Sequence, residues 1–157
     1  MFEFPNPVNE VSARLVAAGV ALLGALTLAT RWEWLLVVLA YGFVARVTAG
    51  PRLSPLALLA TRVITPRLAI EARLVPGPPK RFAQGIGATL SVTAVVAAFG
   101  FGATGVAWVL VAMVVVAATL ESVLAFCIGC KLFALLMHVG VIPEHVCREC
   151  NELALDG

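Results

Sequence analysis

Two cysteine pairs of one spacing, Cys127-Ile128-Gly129-Cys130 and Cys147-Arg148-Glu149-Cys150, are the residues of this chain best suited to chemistry. A Cys-x-x-Cys on a helical turn brings both sulfurs to one face, within reach of a disulfide after modest adjustment or of one shared metal ion. Gly129 permits that adjustment. The thiolate is the reactive species, and nearby positive charge favours it. Lys131, four residues beyond Cys127 on the same helical face, is the candidate source of that charge. Thiol–disulfide exchange or sulfur relay could then run between Cys127/Cys130 and Cys147/Cys150, or between either pair and a soluble thioredoxin-like or sulfurtransferase partner. The rival chemistry is metal binding. Sixteen residues separate the pairs, inside the spacing of four-thiolate zinc sites, so Cys127, Cys130, Cys147 and Cys150 could close around a structural zinc or hold an iron centre. Lys131 to Val146 must then fold back, and Gly140 and Pro143 offer a place to turn. The plainest alternative, cysteines as small apolar fillers at a helix end, suits Cys127 and Cys130 better than the pair in the polar tail. His138 sits on an apolar segment and is expected to be interfacial, whereas His145 could join a metal site. The chain has no Walker loop, dinucleotide fingerprint or His-Glu-x-x-His, which leaves phosphate transfer and metalloprotease chemistry without a basis.

The elements that must position these thiols are membrane elements. Of 157 residues, 61% are hydrophobic and 13% charged, against roughly 45–50% and 25% in soluble domains. A bilayer accommodates such a chain because each run of about 20 apolar residues can cross alone. The expected fold is an all-α integral membrane protein with four transmembrane helices over about 13–30, 33–49, 82–101 and 105–127. Residues 1–135 form the membrane domain and 136–157 a cytoplasmic cysteine-containing tail. The N-terminus has no basic region or small-residue cleavage site, so the first apolar run is expected to stay in the mature protein. Trp32 and Trp34 mark the membrane edge between the first two spans. The second span is short, and snorkelling of Arg46 or local thinning of the bilayer is expected to assist it.

Seven of the eleven basic residues lie between Arg46 and Arg81, against a single acid, Glu71. By the positive-inside rule this loop is cytoplasmic, which places both termini and the thiol pairs on that side of the cell inner membrane. The net charge of +2 is too small to imply nucleic-acid binding; the lipid bilayer is the expected partner. Prolines cut the loop into pieces too short to span, and its leucines and arginines predict an amphipathic interfacial helix over 54–65, between spans two and three. Glu121 falls within the fourth span, about 9 Å of helix rise before Cys127, where an unpaired carboxylate costs several kcal/mol. A polar cluster of Arg81, Gln84, Glu121 and Ser122 beside the thiols is expected to satisfy it.

Pro78-Pro79-Lys80-Arg81-Phe82-Ala83-Gln84 before a glycine-rich span, and Phe126-Cys127-Ile128-Gly129-Cys130-Lys131-Leu132-Phe133 after the fourth, resemble the bacterial membrane family known as domain of unknown function 4395. Arg81, Phe82, Ala83, Gln84, Cys127, Gly129 and Cys130 carry the resemblance, which runs from the first span to about Leu135. The family motif has an acid at Lys131, a Tyr at Phe133 and a polar neutral residue at Glu121, and it lacks the pair at Cys147 and Cys150. The family has no established activity, and its similarity to sulfur- and thioredoxin-linked membrane proteins is suggestive of thiol chemistry. The expected function is a membrane-anchored thiol redox or sulfur-relay protein acting through Cys127 and Cys130. The alternative is an accessory subunit of a larger membrane complex with its four cysteines around zinc.

Overall fold

The computed structural model describes residues 8–50, 53–68, 74–75, 77–124 and 126–143. Cys147, Cys150 and His145, and with them the second thiol pair and its closure onto the first, lie outside the described residues.

Helix α1, Glu10–Thr30, starts at Asn9, whose side chain accepts the Val11 amide at 3.0 Å, so the first orphan donors of the helix are met by an ordinary N-cap. It ends on Arg31 in the left-handed region, φ 56°. A three-residue turn, 31–33, leads into α2, Trp34–Ala49. Ser54 then caps α3, Pro55–Leu58, which runs through a wider π turn, Leu59–Ile64, into α4, Thr65–Leu68. Pro66 explains the widening: its ring would clash with the carbonyl four residues back, and π winding relieves the contact. A two-residue antiparallel pairing of β1, Val8–Asn9, with β2, Leu74–Val75, is the sole extended element among the described residues. Helix α5, Gly77–Val95, continues through a π turn, Val96–Gly100. Helix α6, Thr104–Leu124, returns, and α7, Ile128–Val139, closes the described chain. Helix α7 crosses the expected boundary between membrane domain and tail at 135/136.

Helix α1 packs chiefly on α6, α2 on α5, and α5 on α6, around a core that includes Val16, Val20, Leu36, Leu39, Phe43, Val111 and Val114. Small residues set the approach. A Cβ on Gly24 would come within 2.5 Å of Val115, one on Gly19 within 2.5 Å of Leu56, and one on Gly87 would overlap the Phe43 ring. Such close backbone approach is how helices associate in lipid, where apolar side chains gain nothing by leaving the solvent. The outer surface agrees: Leu22, Val109 and Val116 are 74%, 62% and 58% exposed, part of an apolar belt far larger than a soluble monomer shows.

Among the described residues three helices are long and apolar enough to cross a membrane: Glu10–Thr30, Pro78–Gly100 and Thr104–Leu124. Helix α2 has 16 residues, about 24 Å of rise against a hydrocarbon core of about 30 Å, so by length alone it falls short of the fourth span expected. Contacts at the helix ends give the order of the bundle. At one end Trp34 meets Phe99, ring centroids 5.5 Å apart, and Arg31 lies 5.2 Å from the Trp108 ring. At the other Arg46 reaches Gln84 and Lys80 reaches Glu121. The four long helices therefore run alternately up and down. The helical segment expected over 54–65 is present as α3 to α4. It buries Ala57 and Ala60 and ties to α1 through Ser12 and Thr65, whose hydroxyls are 2.9 Å apart, while Leu59 stays exposed.

Candidate functional site

The chain leaves α6 at Leu124, and Cys127, in extended conformation (φ −93°, ψ 107°), becomes the N-cap of α7. Its Sγ accepts the backbone amide of Cys130 at 3.3 Å. Helix caps are usually Ser, Thr, Asp or Asn, because a side-chain oxygen must take an orphan N–H. A sulfur in that place is held at the positive end of the helix dipole, which favours thiolate over thiol. Both cysteines are reduced; Cys127 is buried and Cys130 half-buried. They lie past the last turn of α6, outside the three membrane-length helices. The thiol of Cys130 donates to Cys127, and this bond, ahead of the opposing effect of burial, holds Cys127 below the ordinary thiol value. The same bond, with burial, pushes Cys130 up. The pair is thus asymmetric: Cys127 is the sulfur on which the thiolate is favoured, and Cys130 the one that holds its proton.

Gly129 serves a purpose beyond permitting adjustment. A Cβ there would collide with Ala83, reaching its Cα at 2.5 Å, so only glycine lets α7 lie against α5 at this level. Four residues on, Phe133 is buried and meets Phe82 with ring centroids 5.6 Å apart. Gly129 and Phe133 together dock the cysteine helix onto the third long helix, which fixes where Cys127 sits relative to the charges of α5.

The expected polar cluster divides into separate pairs. Glu121 is ion-paired with Lys80, Nζ to Oε1 2.6 Å, both side chains nearly buried at 14% and 10% exposure. Gln84 Oε1 accepts from Arg46 Nε at 2.9 Å. Arg81 is exposed and turns away to donate to the Val47 carbonyl at 3.2 Å, at the end of α2. Ser122 contributes its carbonyl, which accepts Arg14 Nε and Nη2 at 3.1 and 2.9 Å, so that a cation of α1 caps the last turn of α6. Lys131 keeps its backbone amide on the Cys127 carbonyl at 3.1 Å, but its exposed ammonium lies 6.0 Å from the Phe126 ring centroid. The physical reason is the same for Arg81 and Lys131: each has a wet position available, and a cation takes it. The charges that act on both sulfurs are those of Lys80, which favours the thiolate, and Glu121, which opposes it and is the stronger of the two at Cys127. His138 is an exposed residue in the last turn of α7.

Lys80 and Arg14 are the residues that sequence reasoning passed over, and Arg46, expected to snorkel toward water, is instead buried and held by Gln84 and Ser54. Lys80 had a signal. It stands four residues before Gln84, on the same helical face, whereas Arg81 is rotated away by about 100°. Arg46 is 5% exposed and also donates Nη1 to Ser54 Oγ at 3.2 Å, with its guanidinium 4.7 Å from the Phe43 ring centroid. Its Nη2 is buried without a partner among the described residues. Arg46 and Lys80 both act on Glu121, so the site carries two buried cations against this carboxylate. A thiolate at Cys127 supplies a second negative charge. Beside it is a cavity of about 210 Å³ whose polar lining is Gln84, Glu121 and Cys127 and whose walls are otherwise apolar. Among the described residues no three His, Cys, Asp or Glu side chains converge as a metal site.

A family model described as Domain of unknown function (DUF4395) matches residues 8–138. The chain belongs to that family. No curated protein and no solved structure matches it. In this DUF4395 chain the matched region contains Lys80, Gln84, Glu121 and the Cys127/Cys130 pair, and it ends before Cys147 and Cys150. The first pair and its setting therefore belong to the family region, and the second lies beyond it.

Proposed function

We propose that this chain is a multi-pass protein of the cell inner membrane whose Cys127 and Cys130 form a thiol–disulfide redox or sulfur-relay pair at the cytoplasmic surface. The observation that carries the reading is the reduced pair itself, with Cys127 as the N-cap of α7, accepting the Cys130 amide at 3.3 Å and the hydrogen bond of the Cys130 thiol. A structural filler has no need of a helix N-terminus and a donated thiol hydrogen bond, whereas a nucleophile does. The half-buried Cys130 is the sulfur within reach of a soluble thioredoxin-like or sulfurtransferase partner. The reading takes α2 as a fourth span: its ends are tied to the same two levels as those of α1, α5 and α6, and local thinning absorbs its shortness. The basic segment from Arg46 to Arg81 sets the cytoplasmic side, with the α3–α4 segment at the interface, its apolar face on α1 and its arginines in water.

Metal analysis and thiol titration on one purified preparation test this. The redox reading expects metal-free protein whose Cys127/Cys130 pair is alkylated when reduced and protected after mild oxidation. Stoichiometric zinc or iron with thiols protected until chelation overturns it and favours an accessory subunit of a larger complex, closed by Cys127, Cys130, Cys147 and Cys150. Labelling of the cysteines of intact cells by a membrane-impermeant maleimide overturns the orientation alone.

A further inference from the structure

The cavity beside Cys127 has one polar end and apolar walls, and it is open to the side of the bundle. Its walls include Phe43, Leu90, Met113 and Ala117, and Met113 is 51% exposed on the outer surface of α6. An open groove along α5, formed by Phe82, Gly85, Ile86, Thr89 and Leu90, is separated from the cavity by Ile86 and Leu90, which line both. No Cβ interrupts that groove at Gly85, where a side chain would meet open space. The exposed Met113 on the cavity wall and the adjacent groove point to entry from the outer surface, between α5 and α6. An apolar cavity of about 150 Å³ accepts a benzene ring, so one of about 210 Å³ takes a six-membered ring with substituents. The one carboxylate of the lining, Glu121, is paired with Lys80, and a thiolate at Cys127 repels an anion, which disfavours an anionic ligand such as a nucleotide or glutathione.

The polar end is fitted to a carbonyl. Gln84 Oε1 is occupied by Arg46 Nε, which orients the amide so that its NH₂ is the group left to donate. Arg46, buried behind it, is the fixed positive charge that a reducible carbonyl needs as negative charge develops on its oxygen. Cys127 is the sulfur on the cavity wall, whereas Cys130 is not part of that wall and is half-buried. The pair therefore has an inner sulfur facing a lipid-side cavity and an outer one facing the aqueous edge.

We propose that the cavity binds the ring of a lipid-soluble quinone, which takes electrons from the Cys127/Cys130 dithiol while its tail lies in the α5 groove. The reaction balances as a two-electron exchange. Two S–H bonds break and one S–S bond forms; two electrons and two protons pass to the quinone oxygens, giving the hydroquinone. A soluble dithiol partner then restores the pair by exchange at Cys130. This inference rests on the redox reading above and assigns its electron acceptor.

The test uses the full chain in lipid nanodiscs with Cys147→Ser and Cys150→Ser, so that the counted thiols belong to the first pair. The protein is reduced, freed of reductant and mixed anaerobically with a decyl-substituted benzoquinone, with oxidised glutathione in a parallel sample. The proposal expects one hydroquinone formed and two thiols lost per chain. It also expects the rate, counted per alkylatable dithiol, to fall at least about tenfold in Ala117→Phe and in Met113→Trp, which fill the cavity or its mouth and misplace the ring. Met113 is at the surface, so its replacement tests the site even if Ala117→Phe fails to fold. Oxidation by glutathione but not by quinone overturns the quinone site and leaves the redox reading standing. Oxidation by quinone at an equal rate in wild type and Met113→Trp overturns the cavity as its place. Oxidation by neither overturns both readings.

Discussion

Replacing Lys80 by Met removes a buried cation that is paired with Glu121 and whose field reaches Cys127, and the two neighbours respond in different assays. Lys80 and Glu121 are 10% and 14% exposed and 2.6 Å apart, a pair with little access to water. Breaking such a pair by removing one partner costs about 3–5 kcal/mol, because the remaining charge is left buried alone; an exposed pair would cost about 1 kcal/mol or less. The cost is read from unfolding in mixed detergent micelles. A Lys80→Met/Glu121→Leu double variant, in which both charges are gone, should recover most of it. The same substitution removes the positive field that favours the Cys127 thiolate, whereas Glu121 opposes it. Lys80→Met should therefore slow alkylation of Cys127 at neutral pH and Glu121→Gln should speed it. A half-unit displacement of the thiol is about a threefold change in rate. The opposite signs separate electrostatics from loosening, since a merely disordered site would react faster in both variants. A Lys80→Met protein that loses less than about 1 kcal/mol, or that alkylates faster than wild type, refutes the argument.

The pH profile of alkylation should have its midpoint for Cys127 below that of an ordinary thiol, rising with pH as the thiolate forms; Cys130→Ala removes the donated thiol hydrogen bond and should move that midpoint upward. Gly129→Ala forces α7 away from Ala83; overpacking of this kind costs about 1–3 kcal/mol, and proteolysis after α6 should become faster at unchanged expression. Arg14→Met uncaps the last carbonyls of α6, at 2.9–3.1 Å in the structure, and should lower stability by about 1–2 kcal/mol, with Arg14→Lys recovering part of it. Either loss is measured by the same micellar unfolding.

The helices were legible because apolar runs bounded by Trp, Gly and Pro have few other readings, and the ends of α1, α2, α5 and α6 fall within a few residues of the expected spans. The short α2 shows the limit. Composition reports apolarity, while spanning depends on length against a bilayer whose local thickness is not encoded in the run. The thiol pair was legible from its spacing, but its partners were not. Choosing Arg81 over Lys80 as partner of Glu121 ignored a rotation of about 100° per residue, and that rotation decides which of two adjacent cations faces the bundle. Lys131 was assigned to the sulfurs from sequence proximity, whereas a surface lysine follows solvent. Arg14 illustrates what spacing cannot supply, since its acceptors are 108 residues away in sequence and only the pairing of α1 with α6 brings them together.

The pairing of Lys80 with Glu121 also constrains the order in which the protein can be made. The two residues are 41 apart in sequence, so α5 emerges from the ribosome carrying an ammonium whose counter-ion has yet to be synthesised. Until α6 is made, Lys80 has no carboxylate of its own chain to pair with at this level. The first cysteine follows Glu121 by six positions, so the counter-ion of Lys80 is always synthesised before the thiol pair.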